Sequence, residues 1–163
     1  MRKTFTELVE LIGRRSPALA LQVNEPLVNF LIVTREICGG DLDTSLILLV
    51  IIQRSNRHPA FAQLDPVEIA REPPDEIPSL RTNLRSISES TGIPKETVRR
   101  KVRVLEKLGL VETVDQLIRF TPEGYRKLTP ARAELVRLAA RIYEAVDAQI
   151  AKEAAGLPER VSS

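Results

Sequence analysis

The sequence predicts a mainly α-helical protein with one small β-hairpin, flanked by N- and C-terminal helices. Three observations predict it. Apolar residues recur at helical spacing over most of the chain. Alternation with a period of two is confined to a short stretch near residues 110–121. Gly92 and Pro94 separate two helical patterns by only a few residues, which calls for a sharp turn between packed helices.

The composition supports a real core. The 163 residues suit one ordinary domain, or a small domain with helical extensions. Hydrophobic residues make up 43% and charged residues 28%. Aromatics are only 4% and tryptophan is absent, so the core must be aliphatic. Cys38 is the single cysteine, which excludes an internal disulfide and fits a reducing, cytoplasmic setting. The basic start, Met1-Arg2-Lys3-Thr4, is followed by Glu7 and Glu10, so no uninterrupted apolar segment of a signal peptide is expected. The most apolar run, Leu46 to Ile52, is too short to cross a bilayer as a helix, and no membrane association is expected.

The elements follow in order. Phe5, Leu8, Val9 and Ile12 predict a first helix from Thr4 to about Arg15, with Thr4 as N-cap and a break at Ser16-Pro17. Asn24 and Pro26 predict the start of a second, ending at Gly39-Gly40. Asp41 or Asp43 caps a third, over about 43–56, apolar on nearly every side and therefore central to a core or an interface. Residues 57–79 carry five prolines and are the least regular part. A short helical turn is expected from Asp65-Pro66 to Arg71, and Glu72 to Ile77 reads as an exposed linker.

The stretch from Leu84 to Val111 is the most informative. A helix is expected to end near Thr91. Gly92 then supplies positive φ, Ile93 points back to the core, and Pro94 opens a second helix running to about Leu108. Val98, Val102 and Leu105 form its inner stripe. Lys95, Glu96, Thr97, Arg99, Arg100 and Arg103 lie outside the stripe, an arrangement that suits a DNA major groove. Lys101 and Lys107 read as an ordinary solvated face. Gly109 closes the helix, and 110–114 and 117–121 read as strands joined by a tight turn at Asp115-Gln116. Thr129-Pro130 starts a long helix to about Ala155, with Leu135, Leu138, Ala139, Ile142, Val146 and Ile150 near one face.

In Thr91-Gly92-Ile93-Pro94, Glu96-Thr97-Val98-Arg99-Arg100, Leu105-Glu106-Lys107-Leu108-Gly109-Leu110-Val111 and Phe120-Thr121-Pro122-Glu123-Gly124, the chain resembles the winged helix-turn-helix bacterial transcription regulators. Among these it looks most like the MarR-type regulators. The resemblance covers about a quarter of the chain. It implies that the helix from Pro94 is the recognition helix and that Thr97, Arg99, Arg100 and Arg103 face DNA. It implies too that Arg119 belongs to the wing, that terminal helices build a homodimer, and that a small-molecule effector is possible. Ser88 stands where such motifs usually have alanine. The wing holds only Arg119 as a basic residue. The first helix of the winged domain is either that over 43–56 or one within 65–71.

Charge is distributed to match. Residues 1–80 carry 8 basic and 11 acidic residues, whereas residues 81–107 carry 8 basic and 3 acidic. Arg81 and Arg85 are further candidates for backbone phosphate. His58 is the only histidine and, with a single cysteine, leaves no metal-binding cluster. Cys38 reads as a packing residue, and Tyr125 and Tyr143 as core or interface. No phosphate loop, nucleophile triad or paired-carboxylate site is present, so neither an enzyme nor a cofactor is expected.

The expected organisation is therefore 1–79 as a helical core or dimerisation region with linker, 80–128 as the region that binds double-stranded DNA, and 129–163 as a C-terminal helix with a loose tail. That helix either folds back on its own chain or pairs with its twin across a two-fold axis. The expected function is sequence-specific transcription regulation as a homodimer. The alternative is a protein–protein interaction module in which the basic patch is incidental.

Overall fold

The computed structural model describes residues 4–14, 16–65 and 72–154. It is mainly helical, with one two-stranded antiparallel sheet. The chain divides into two compact units: Leu31–Ala131, and the terminal stretches Met1–Phe30 with Arg132–Ser163.

The first unit is built on a helix that is capped and then buried. Helix α3 (Leu42–Asn56) starts at Asp41, whose carboxylate accepts from the Thr44 amide and hydroxyl, both at 2.7 Å. Ile47, Leu48 and Ile51 are fully buried, each stabilising the fold by about 1.5–3 kcal/mol. Around α3 pack α5 (Leu84–Thr91), α6 (Lys95–Lys107) and strand β2 (Leu117–Phe120). Ile87, Val98, Val102, Leu105, Leu110, Ile118 and Phe120 complete the core. Helix α3, placed by the sequence reading in the 1–79 region, thus shares its unit with residues 80–131.

Strand β1 (Val111–Val114) pairs with β2 so that Val111 faces Phe120 and Val114 faces Leu117. Asp115 and Gln116 both have positive φ, 49° and 63°, as a two-residue hairpin turn of matching twist requires. Strand β1 begins, and β2 ends, one residue inside the expected bounds, and the bounds at Val114 and Leu117 are as expected. The edge of β2 is not free: the Ile118 amide donates to the Thr82 carbonyl at 2.8 Å, and the Leu80 amide donates to that of Arg54 at 3.2 Å. Residues 72–83 are therefore strapped across this unit. Pro73, Ile77 and Thr82 are buried, which corrects the reading of 72–77 as an exposed linker. Its prolines cannot continue a helix, yet a chain with fixed φ packs well as an extended strap. The turn expected from Asp65 to Arg71 lies, from residue 66 on, outside the described residues.

Two short helices were not foreseen. Helix α4 (Pro59–Ala62) is capped by His58, whose Nδ1 accepts from the Ala60 amide at 3.2 Å. Helix α7 (Pro122–Lys127) is capped by Thr121, with proline in its first turn. Gly124 lets α7 press on the sheet, since a Cβ there would lie 2.5 Å from the Leu110 carbonyl oxygen. Tyr125 sets its ring against Phe120, centroids 6.4 Å apart.

In the second unit, α1 (Phe5–Arg14) begins with Thr4 and Glu7 exchanging capping hydrogen bonds. Helix α2 (Ser16–Ile37) starts at Ser16 and runs through Asn24 without a new beginning, with Pro26 inside it. Proline removes one helical hydrogen bond but does not end a helix whose flanks hold, so the expected start at Asn24 is corrected. Gly39 and Gly40 terminate α2 as expected, the Gly40 amide returning to the Arg35 carbonyl at 2.8 Å. Helix α8 (Thr129–Ala154) buries Ala131 and Ala145. Of its expected apolar stripe Leu135, Ile142 and Ile150 are exposed and Leu138 and Val146 half-buried, and Val136 and Tyr143 beside it are also exposed. Tyr143 is thus no core residue of the single chain. None of the described helices is long and apolar enough to cross a membrane.

Candidate nucleic-acid interface

The site is presented by the turn between α5 and α6. Asn83 and Ser86 cap α5 reciprocally, and Gly92 ends it with φ 71°. Ile93 tucks in at 9% exposure. The Ser88 hydroxyl donates across the turn to the Ile93 carbonyl at 2.7 Å, and the Ile93 amide donates to the Thr91 hydroxyl at 3.2 Å. Ser88, at a position where alanine fits by size, is thus a clip that holds the turn. Pro94 is the N-cap itself, one residue before its expected place, and α6 runs from Lys95 to Lys107. At its far end Gly109 takes φ 70°, and the Leu110 amide returns to the Leu105 carbonyl at 2.9 Å.

Helix α6 buries one stripe and exposes the rest. Val98 and Leu105 are fully buried and Val102 nearly so, whereas Lys95, Glu96, Arg99, Arg100 and Arg103 are exposed and Thr97 is half-buried. Three predicted cations already hold carboxylates. Arg85 pairs with Glu89 at 2.7 Å, Arg99 with Glu96 at 3.5 Å, and Arg119 with Glu76. Lys95, Arg100 and Arg103 make no ion pair with any described residue. These surface pairs are screened by solvent and hold their cations weakly, so a phosphate can replace the carboxylate.

An open cleft of about 690 Å³ lies between α6, the start of α5 and the hairpin turn. Arg85, Lys95, Arg99 and Arg103 line it, against Glu106 and Asp115. Glu106 is itself occupied, accepting from the Thr113 hydroxyl at 2.5 Å and so tying β1 to α6. The cleft is therefore rich in guanidinium groups, whose forked donors match phosphate oxygens.

Two charged residues differ from their expected roles. Lys101 is not solvated: its side chain is 12% exposed and its ammonium lies 2.5 Å from Asp41 and 3.7 Å from Asp43. Its position in α6 faces the capped start of α3, so its charge serves packing. The Lys101 ammonium and the Thr44 donors push the Asp41 carboxyl down to about 2. Arg119, expected in the hairpin, lies opposite Glu112 three residues past the turn, toward the hairpin's base, and is held there by Glu76. Sequence patterning gave no sign of Glu76, which lies 43 residues away.

Elsewhere chemistry is sparse. Cys38 is buried, and burial pushes its thiol pKa up, away from reactivity. No metal-binding cluster of histidine, cysteine or carboxylates occurs among the described residues. Comparison with protein-family models, with curated proteins and with solved structures finds no match to this chain.

Proposed function

We propose that the chain is a sequence-specific DNA-binding transcription regulator of the winged helix-turn-helix type. In this reading α5 and α6 are the helix-turn-helix, the β1–β2 hairpin is the wing, and α6 enters the major groove. The observation that carries it is the exposed face of α6. It offers Lys95, Arg99 and Arg103 along a cleft and Arg100 exposed beside them, while the opposite face is packed into the core. Arg100 and Arg103, which make no ion pair among the described residues, are ready to take phosphates or guanine edges. Arg85 and Arg99 exchange their carboxylates for phosphate on binding. Thr97 makes a phosphate or thymine-methyl contact, and Glu96 accepts from a cytosine amino group.

The chain acts as a homodimer in this proposal. The exposed Leu27, Val28, Leu135, Val136 and Ile142 of α2 and α8 supply apolar surface for a two-fold contact. A dimer doubles a half-site that a single recognition helix binds weakly.

The test is binding to random-sequence duplex DNA by fluorescence anisotropy at two salt concentrations, with the R99A/R100A/R103A variant alongside. The expected result is steep salt dependence in the parent and a slope smaller by about 2–3 in the variant, close to 0.9 for each phosphate no longer neutralised. Equal, weak and salt-insensitive binding by both proteins would sink the proposal in favour of a protein–protein module.

A further inference from the structure

A second cleft, of about 560 Å³, is lined by β2, residues 76–82 of the strap, His58 and Ala60, within the unit Leu31–Ala131. Its volume falls in the range of small-ligand sites. Ile77 and Leu80, from the strap, supply apolar lining, and His58, Arg81 and Arg119 supply donors. The imidazole has a defined orientation, since Nδ1 accepts from the Ala60 amide and Nε2 therefore carries the proton. Arg81 is exposed and makes no ion pair with any described residue. Arg119 holds the carboxylate of Glu76, a side chain 69% exposed on the same cleft.

That last contact identifies the ligand chemistry. Arg119 is already docked with a carboxylate inside the cleft, and the carboxylate comes from a loosely held surface side chain. Exposed pairs of this kind are weak, so a ligand carboxylate displaces Glu76 at little cost. The free Arg81 offers a second guanidinium, and the apolar lining favours a hydrocarbon body behind the charged group. We propose that this cleft binds a small aliphatic carboxylate, with Arg119 and Arg81 on the carboxylate and the chain along Ile77 and Leu80. The proposal stands apart from the reading of α6 and does not depend on DNA binding.

The test is titration of the full chain with acetate, butyrate and hexanoate at constant ionic strength, followed by backbone amide NMR shifts. Saturable shifts are expected at Ala60, Leu80 and Arg119. Each methylene that becomes buried tightens binding by about threefold to fourfold, so hexanoate binds at least tenfold more tightly than acetate. R119A and R81A each weaken hexanoate binding several-fold while the amide spectrum away from the cleft stays that of the parent. E76Q, which removes the internal competitor, strengthens it by up to about fivefold. Non-saturating shifts, equal affinity for acetate and hexanoate, or undiminished binding by both arginine variants would overturn the assignment.

Discussion

Helices α6 and α8 are both amphipathic, yet they leave opposite kinds of surface in water. Helix α6 packs Val98, Val102 and Leu105 into its own unit and leaves Lys95, Arg99, Arg100 and Arg103 outside. Among the described residues of α8 only Ala131 and Ala145 are buried, and Val136 and Tyr143 are 68% and 71% exposed. The apolar stripe of α6 is therefore satisfied by the chain itself, and what remains is free for a charged partner. The apolar surface of α8 is not satisfied by the described chain. Hydrophobic burial is the dominant favourable contribution to folding and to most association, so in the proposed reading α6 meets DNA and α8 meets a second copy of the chain.

The sharpest way to break this contrast is to hollow the buried stripe. Leu105→Ala removes a fully buried side chain where α6 meets the core. We expect a loss of about 2–5 kcal/mol in urea unfolding, with the slope unchanged. A loss below about 1 kcal/mol would mean that α6 is not anchored as described. A smaller effect is expected at Gly124, where an added Cβ would also lie 2.8 Å from the Phe120 ring. Because the Leu110 backbone on the other side cannot yield, Gly124→Ala should destabilise by about 1–3 kcal/mol. A variant that melts with the parent would show that α7 does not press on the sheet.

Much of this was legible in the sequence because the signals are local. The spacing of Val98, Val102 and Leu105 identified the inner face of α6, and Gly92 announced the turn by its need for positive φ. Asp115-Gln116 marked the hairpin although neither residue is glycine. What was hidden depends on pairs far apart in the chain. Lys101 looks like one more cation of a basic run, and only its approach to Asp41, 60 residues earlier, reveals it as structural. Arg119 reads as an ordinary basic residue of the hairpin, and only the fold brings Glu76, 43 residues away, beside it. Residues 72–77 of the strap read as linker because the prolines conceal buried positions that have no period. The same limit applies to the candidate site: its helix and its cations were readable, but which cations are already paired was not.

The Lys101–Asp41 contact gives the next prediction. Asp41 is held down to about 2, below its ordinary 3.8, chiefly by the Lys101 ammonium and then by Thr44. A carboxylate with a lowered folded pKa stabilises above its unfolded value and loses that contribution as pH falls toward about 2. The carboxylate is half-exposed, so screening reduces the contribution to about 1 kcal/mol. Lys101→Met should therefore lower stability by about that amount at neutral pH and flatten its decline between about pH 4 and about pH 2. Parallel pH–stability curves for parent and variant would remove Lys101 as the cause.

The smallest change in the single chain is expected on α8, and it bears most directly on what the contrast means. Val136 is 68% exposed, so Val136→Asp removes almost no intrachain packing. At high dilution its thermal stability should match the parent within about 0.5 kcal/mol. At micromolar concentration the proposed homodimer makes a different demand, because a carboxylate would then be buried without a partner. Sedimentation velocity should show the dissociation constant rising at least tenfold. The parent's melting temperature should climb with concentration, as mass action requires, and the variant's should not. An unchanged mass would mean that the apolar face of α8 is not the contact, whatever α6 does on DNA. A variant that unfolds at every concentration would mean that Val136 is covered within its own chain, and the comparison between the two helices would fail.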